Sequence, residues 1–335
     1  MDRNNTALKS FILIREIRLC VFFICILGVC ACSKIEDHYR SVLTNGVLTL
    51  ADPYILEDDG MFYMYGTLSK SGIIVCKSEN LYEWSDCCGN ANFNLALYRS
   101  DVWGDKNFWA PEVYKVNGKY IMTYTSDMHI CYAESDSPCG PFVQNNKCPY
   151  LYNENGIDSS IFIDDDGQAY ICWDRQTESG GIWIAKMSPD LQNINMSTAN
   201  WALDVSHDTW ENLDGWICEG PQIIKHESLY YMIYSCNTYT SAEYAVGYAV
   251  SDKPMGPYKK YAGNPILYKH GGYDGTGHAS ILQTSTGDYY IVYHAHNKNV
   301  NPRITLISPI VFEQNELGEY IIRVSDEVIQ PNVVL

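Results

Sequence analysis

Apolar and polar residues alternate along this chain in short runs, and the runs come in pairs. Five pairs stand out: ADPYILEDDGMFYMYGT from Ala51, WAPEVYKVNGKYIMTYTS from Trp109, DSSIFIDDDGQAYICWD from Asp158, EGPQIIKHESLYYMIYS from Glu219 and HASILQTSTGDYYIVYH from His278. In four of them an apolar run ends at a turn carrying glycine (Gly60, Gly118, Gly167, Gly287) and a tyrosine-rich run follows. The copy from Glu219 has Ser228 at the turn instead. Period-two alternation around a tight turn predicts a β-hairpin in each copy. Further strand-like runs (IIVCKS, HICYAES, IWIAKMS, AVGYAVS) follow the first four hairpins, and SPCGPF and KPMGPY mark matching turns in the second and fourth units.

The copies recur every 49 to 61 residues. About four strands per unit at that period is the requirement of a β-propeller blade, so the reading is an all-β, five-bladed β-propeller. The first strand of each blade lines the central axis, and equivalent positions from different blades converge there. Counting back seven residues from each turn position reaches Pro53, Pro111, Ser160, Pro221 and Ser280; two residues earlier stand Ala51, Trp109, Asp158, Glu219 and His278. In this register Asp158, Glu219 and His278 are equivalent, and Asp52 is offset by one. A local bulge is expected to absorb the offset, since one residue reverses the side-chain direction in a strand.

Asp52, Asp158 and Glu219 each open an apolar strand, where a carboxylate is costly unless used or paired. Three carboxylates from three blades can face one pocket. Glycoside cleavage by inversion needs one carboxylate to activate water and a carboxylic acid to protonate the leaving oxygen, about 6.5–9.5 Å apart. A third carboxylate near the acid raises its pKa by like-charge repulsion. Trp109 falls in the axial register and with Trp103 offers an apolar face for a sugar ring. Glu112, beyond its proline, reads as lying off the axis and structural. The DDDG of Asp164–Gly167 lacks the glutamate of a calcium loop and reads as a turn.

With these residues in place, the chain from about Val47 to Val324 resembles glycoside hydrolase family 43, the arabinofuranosidase, xylosidase and arabinanase type, whose members are five-bladed propellers acting on arabinose- and xylose-containing glycans. The motifs are Ala51-Asp52-Pro53, Trp109-Ala110-Pro111-Glu112-Val113, Ile157-Asp158-Ser159-Ser160, Glu219-Gly220-Pro221 and Gly277-His278-Ala279-Ser280. The resemblance implies Asp52 as general base, Glu219 as general acid and Asp158 as the residue that tunes and orients the acid. It implies no cofactor for the chemistry, a structural calcium near His278 held through water, and a sugar contact from Arg303. Ser159 stands where the family often has proline. The alternative function is a catalytically silent glycan-binding propeller, because fold does not fix function.

Composition narrows the partners. The formal net charge of −17 argues against nucleic acid and anionic membrane surfaces, and the 23 Lys and Arg form no cluster beside the motifs of the kind phosphorolysis needs. An oligosaccharide or polysaccharide substrate suits it, with the protein acting as a monomer. Lys9, Arg15 and Arg18 precede LCVFFICILGVCA, a secretory signal over residues 1–31 that ends in Val29-Cys30-Ala31-Cys32. This resembles a bacterial lipobox with Cys32 as the lipidated residue, followed by a tether to residue 46 and the propeller over 47–335. An exported protein is expected, in the periplasm or on the outer membrane or cell surface, attached to membrane only by its lipid. Of 13 cysteines four lie in the first 32 residues, leaving nine. Cys139 could bridge to Cys148, or Cys87 or Cys88 could take part.

Overall fold

The computed structural model describes residues 46–176 and 181–334. The expected leader, the expected lipidation site Cys32 and the expected tether up to Asn45 lie outside the described residues. From Gly46 onward the chain forms one compact unit.

Each sequence repeat builds one blade. The inner strands are Ala51–Asp58, Trp109–Val116, Gly156–Ile163, Cys218–His226 and Gly277–Gln283. Each pairs antiparallel with a second strand: Met61–Ser69, Lys119–Ser126, Ala169–Arg175, Leu229–Cys236 and Tyr289–Asn297. Third strands follow at Gly72–Ser78, His129–Ser135, Ile182–Met187, Ala245–Ser251 and Asn299–Gln314. Blades 1, 3, 4 and 5 are four-stranded; blade 2 has three strands and a single further bridge, Glu134 to Val143. The described residues contain no α-helix, and the fold is the five-bladed propeller that the repeat predicts.

Tyrosine recurs in the second strands because a buried strand with a polar tip suits packed blades. Tyr65, Tyr124 and Tyr234 are fully buried. Their hydroxyls reach Pro138 O at 2.6 Å, Trp103 O at 3.0 Å and Glu211 Oε1 at 2.8 Å, so ring area is buried without an unpaired donor. The ring closes where distant pieces of chain meet. Leu48 N–H donates to Pro331 O, Thr305 N–H donates to Leu48 O, and Asn332–Val334 pairs parallel with Glu83–Ser85 of blade 1.

All five inner strands carry the same bulge. Pairing runs Ala51 to Thr67 and resumes at Tyr54 to Tyr65; the other blades repeat this three-against-two count at Trp109/Glu112, Ile157/Ser160, Glu219/Gln222 and Gly277/Ser280. The bulge therefore places Asp52, Ala110, Asp158, Gly220 and His278 in equivalent positions. Glu219 precedes that position and is level with Trp109. This corrects the register read from the turns: Asp158 and His278 belong with Asp52, and Glu219 is the offset residue. The cause is loop length. Blades 1 and 2 turn on two residues, Asp59-Gly60 and Asn117-Gly118, all with positive φ as a type I′ turn requires. Blades 3 and 5 use five-residue loops, 164–168 and 284–288, which move their glycines one residue farther from the bulge.

Candidate active site

The first bulge residue is left-handed in every blade: φ is 50° at Asp52, 42° at Ala110, 56° at Asp158, 58° at Gly220 and 47° at His278. Only Gly220 takes this conformation without steric cost, and its missing Cβ would otherwise meet the His278 ring at 3.4 Å. The second strand of the preceding blade supports the strained residue. Thr67 Oγ1 accepts from Ala110 N–H at 2.8 Å, Thr125 Oγ1 from Asp158 N–H at 3.0 Å and Ser235 Oγ from His278 N–H at 2.9 Å. His294 Nδ1 stands in the same place, 3.2 Å from Asp52 N. Left-handed non-glycine residues at one convergent position mark a functional site. Here they direct Asp52, Asp158 and His278 at the axis.

Asp52 is surrounded by nitrogens from blade 5. Arg303 Nη1 lies 3.1 Å, His294 Nδ1 3.2 Å and His278 Nδ1 3.5 Å from its Oδ1. Burial favours protonation of Asp52, but Arg303 and the two histidines outweigh it and hold the carboxyl well below its usual range. Burial keeps both histidines neutral in turn, and pushes His294 down to about 3. Arg303 Nη1 also lies 3.5 Å from His294 Nε2, and His294 Nδ1 accepts from the Asp52 N–H.

The other two carboxyls are biased the opposite way. Burial raises Glu219 to about 7; Asp52's charge adds to this, while a 2.7 Å hydrogen bond donated by Tyr244 and the charge of Arg303 oppose it. Asp158 is raised well above its usual range by burial and by the charges of Glu219 and Asp52, against a hydrogen bond from the Gly220 N–H. The site thus holds one firm carboxylate and a repelling pair that retains protons near neutrality.

Several members were not read from the sequence. Tyr244 and His294 lie outside the inner strands and carry no motif. Asp174 occupies in blade 3 the position of Thr67, Thr125, Ser235 and His294, opposite Ile157. It is 4% exposed and accepts from Gln176 Nε2 at 2.5 Å; burial and the charge of Glu219 raise its pKa well above the usual range. Trp216, three residues before Glu219, is 64% exposed and leans on His207 with ring centroids 4.7 Å apart.

The remaining expectations divide. Arg303 reaches the site, and its guanidinium also lies over the Tyr239 ring at 4.5 Å. Trp109 stands level with Glu219, one position before the bulge. Trp103 packs edge-on against His129 and lines a separate cleft of about 480 Å³ with Asp105, Asp127 and Lys147. Glu112 is corrected: the bulge turns it inward, and it lines a narrow axial cavity together with Asp52, Asp158 and His278. There Tyr114 donates to it, and burial raises it to about 7. For calcium the donors are poor. His278 Nδ1 faces Asp52 and, at 3.9 Å, Asp158, and among the described residues no three Asp, Glu, His or Cys side chains gather to hold a metal ion. Oxygen-seeking calcium would depend on water there, and no chemical step needs it.

Comparison with known proteins follows the same lines. A solved structure described as an endo-1,4-beta-xylanase from Bacteroides thetaiotaomicron is 37% identical, covers 87% of this chain and 99% of its own, and superposes with a TM-score of 0.78. A beta-xylosidase of Bacillus subtilis is 28% identical over 224 residues, covering 60% of this chain and 39% of the relative. An arabinoxylan arabinofuranohydrolase of Paenibacillus polymyxa is 27% identical over 296 residues, covering 73% and 44%. The chain thus spans less than half the length of these two curated relatives. The sequence pattern described as "Glycosyl hydrolases family 43" matches residues 43–317, which reaches into all five blades and includes every carboxyl of the site, and the chain belongs to that family.

Proposed function

We propose that this protein hydrolyses O-glycosidic bonds of xylose- or arabinose-containing glycans with inversion at the anomeric carbon. The observation that carries the reading is the electrostatic asymmetry of the site: Asp52 sits beside Arg303 and stays ionised, while Glu219 is buried against Tyr244 and keeps its proton to about pH 7. Asp52 takes a proton from a water as the water oxygen bonds to the anomeric carbon. Glu219 gives its proton to the leaving oxygen as the glycosidic bond breaks. Asp158, fixed by Thr125 and the Gly220 N–H, positions Glu219 and shares the proton load of the pair. Trp109 offers an apolar face to a sugar ring, whereas Trp103 lies in the separate cleft. Arg303 has a buried Nε with no protein partner, a donor suited to a sugar hydroxyl.

The relatives' names divide between xylose and arabinose substrates, so the test uses both. The purified protein is assayed on aryl β-xyloside, aryl α-L-arabinofuranoside, xylan and debranched arabinan, and NMR follows the first-formed anomer. Turnover with an inverted product is expected. A retained anomer overturns the roles of Asp52 and Glu219, and binding without turnover overturns hydrolysis in favour of a glycan-binding propeller. We also propose export with lipid attachment at Cys32, on the strength of the basic leader, its apolar stretch and the small residue before that cysteine.

A further inference from the structure

We propose that Cys88 and Cys139 form a disulfide that staples blade 1 to blade 2. The two Sγ atoms lie 3.0 Å apart although the residues are 51 positions apart in sequence and belong to different blades. Both are half-buried, within reach of a thiol reagent. The backbone around them is fixed by bonds independent of the sulfurs. Cys88 N–H donates to Val75 O at 3.0 Å, Asn90 N–H donates to Cys139 O at 2.8 Å, and Asn90 Nδ2 reaches Gly140 O at 3.0 Å. Two residues farther, Phe142 N–H donates to Ala96 O at 2.8 Å, and Tyr65 of blade 1 donates to Pro138 O. Gly140 is pinned too: a Cβ there would stand 2.1 Å from Ala96 O. The turn Ser137–Pro141 is thereby held against blade 1, and the sulfurs meet as a result of the seam. Two other pairs lie within single blades: Cys76 and Cys87 of blade 1 are 3.6 Å apart with Cys76 fully buried, and Cys218 and Cys236, opposite each other in blade 4, are both buried. Cys148 is exposed, away from this seam.

The chemistry is thiol–disulfide exchange with a disulfide donor, either a small-molecule disulfide or a dithiol oxidase. The hydrogen bond from Cys88 holds Cys139 down to about 7, so Cys139 is the attacking thiolate. Its sulfur displaces one thiolate from the donor and forms a mixed disulfide. Cys88, losing its proton, then attacks the Cys139 sulfur and displaces the second thiolate. Two protein thiols are oxidised, the donor disulfide is reduced to two thiols, and the two protons pass to the released thiolates.

The test needs no knowledge of where the protein resides. The full chain is incubated with oxidised glutathione, free thiols are blocked, and unreduced proteolytic peptides are mapped by mass spectrometry. A linked peptide pair joining Cys88 to Cys139 is expected. Accompanying it is a fall in thermal midpoint of roughly 4–8 °C on reduction, absent in both Cys88→Ser and Cys139→Ser. Blocking of both thiols under these conditions, or a link from either to another cysteine, overturns the proposal. So does an equal fall on reduction in the serine variants.

Discussion

Glu219 is useful because its burial opposes ionisation, and the same burial makes it costly to the fold. Its carboxyl is raised to about 7 in the folded protein, against roughly 4.3 in an unfolded chain. Between those values the folded state binds more protons, so the glutamate's contribution to stability is fully present below about pH 4.3 and is lost as pH rises through about 7. Glu219→Gln removes that loss, and its amide oxygen still accepts from Tyr244. The variant is expected to lose roughly 10²–10⁴-fold of the rate on natural glycosides, and much less on aryl glycosides with good leaving groups, while melting higher than the parent at pH 8. Near-parental rates on both substrate types would exclude it as the acid.

The pH profile of kcat/KM tests the same residue without removing it. Activity needs Glu219 protonated and Asp52 ionised, so the rate falls as pH rises through about 7 and persists into the acid range below the usual carboxylate pKa. Tyr244→Phe deletes the hydrogen bond that lowers Glu219, so the alkaline limb moves upward. A limb that stays in place or moves down contradicts this arrangement. At this scale Asp52, Asp158, Glu219 and Arg303 were legible because they stand in or near recognisable motifs. Tyr244, His294 and Asp174 were not: they reach the site from loops and second strands, where only the assembled sheet shows which residues sit opposite the bulge.

The repeated bulge is the element that turns five ordinary strands into a site. It costs left-handed backbone at four non-glycine residues, and the second-strand hydroxyls stabilise it by satisfying the N–H of the strained residue. Thr125→Val keeps the shape and removes the acceptor, leaving the Asp158 N–H buried and unpaired. The expected loss is about 1–3 kcal/mol in chemical denaturation, with a fall in kcat because Asp158 is released. A stability change within about 0.5 kcal/mol would mean that the bond is incidental. Hairpins and third strands were readable from alternation and turn glycines. The bulge was expected only as a local repair at Asp52, because alternation does not show an inserted residue. The longer loops of blades 3 and 5 then shifted the count, and Glu112 was assigned to the wrong side because the bulge between Trp109 and Glu112 was not visible.

Over the whole molecule, the strong negative charge and a glycan-directed site are compatible, since sugars are uncharged and the propeller needs no basic surface. On the proposed export and lipid attachment, retention at a membrane would fall to the leader. A Cys32→Ser variant is expected to move from the membrane to the soluble fraction on cell fractionation; a variant that stays membrane-bound after its leader is cleaved would rule out the lipid.

The ring clasp also decides whether the two carboxyls differ at all. Asp52 belongs to blade 1, yet Arg303, His294 and His278, the groups that keep it ionised, all belong to blade 5. They reach it only when the strand around Leu48 is gripped between Thr305 and Pro331. Without the strand that carries Arg303, Asp52 and Glu219 would be two buried carboxyls with no guanidinium to tell them apart. The difference between the two carboxyls is thus a property of the closed ring, and no blade holds it alone.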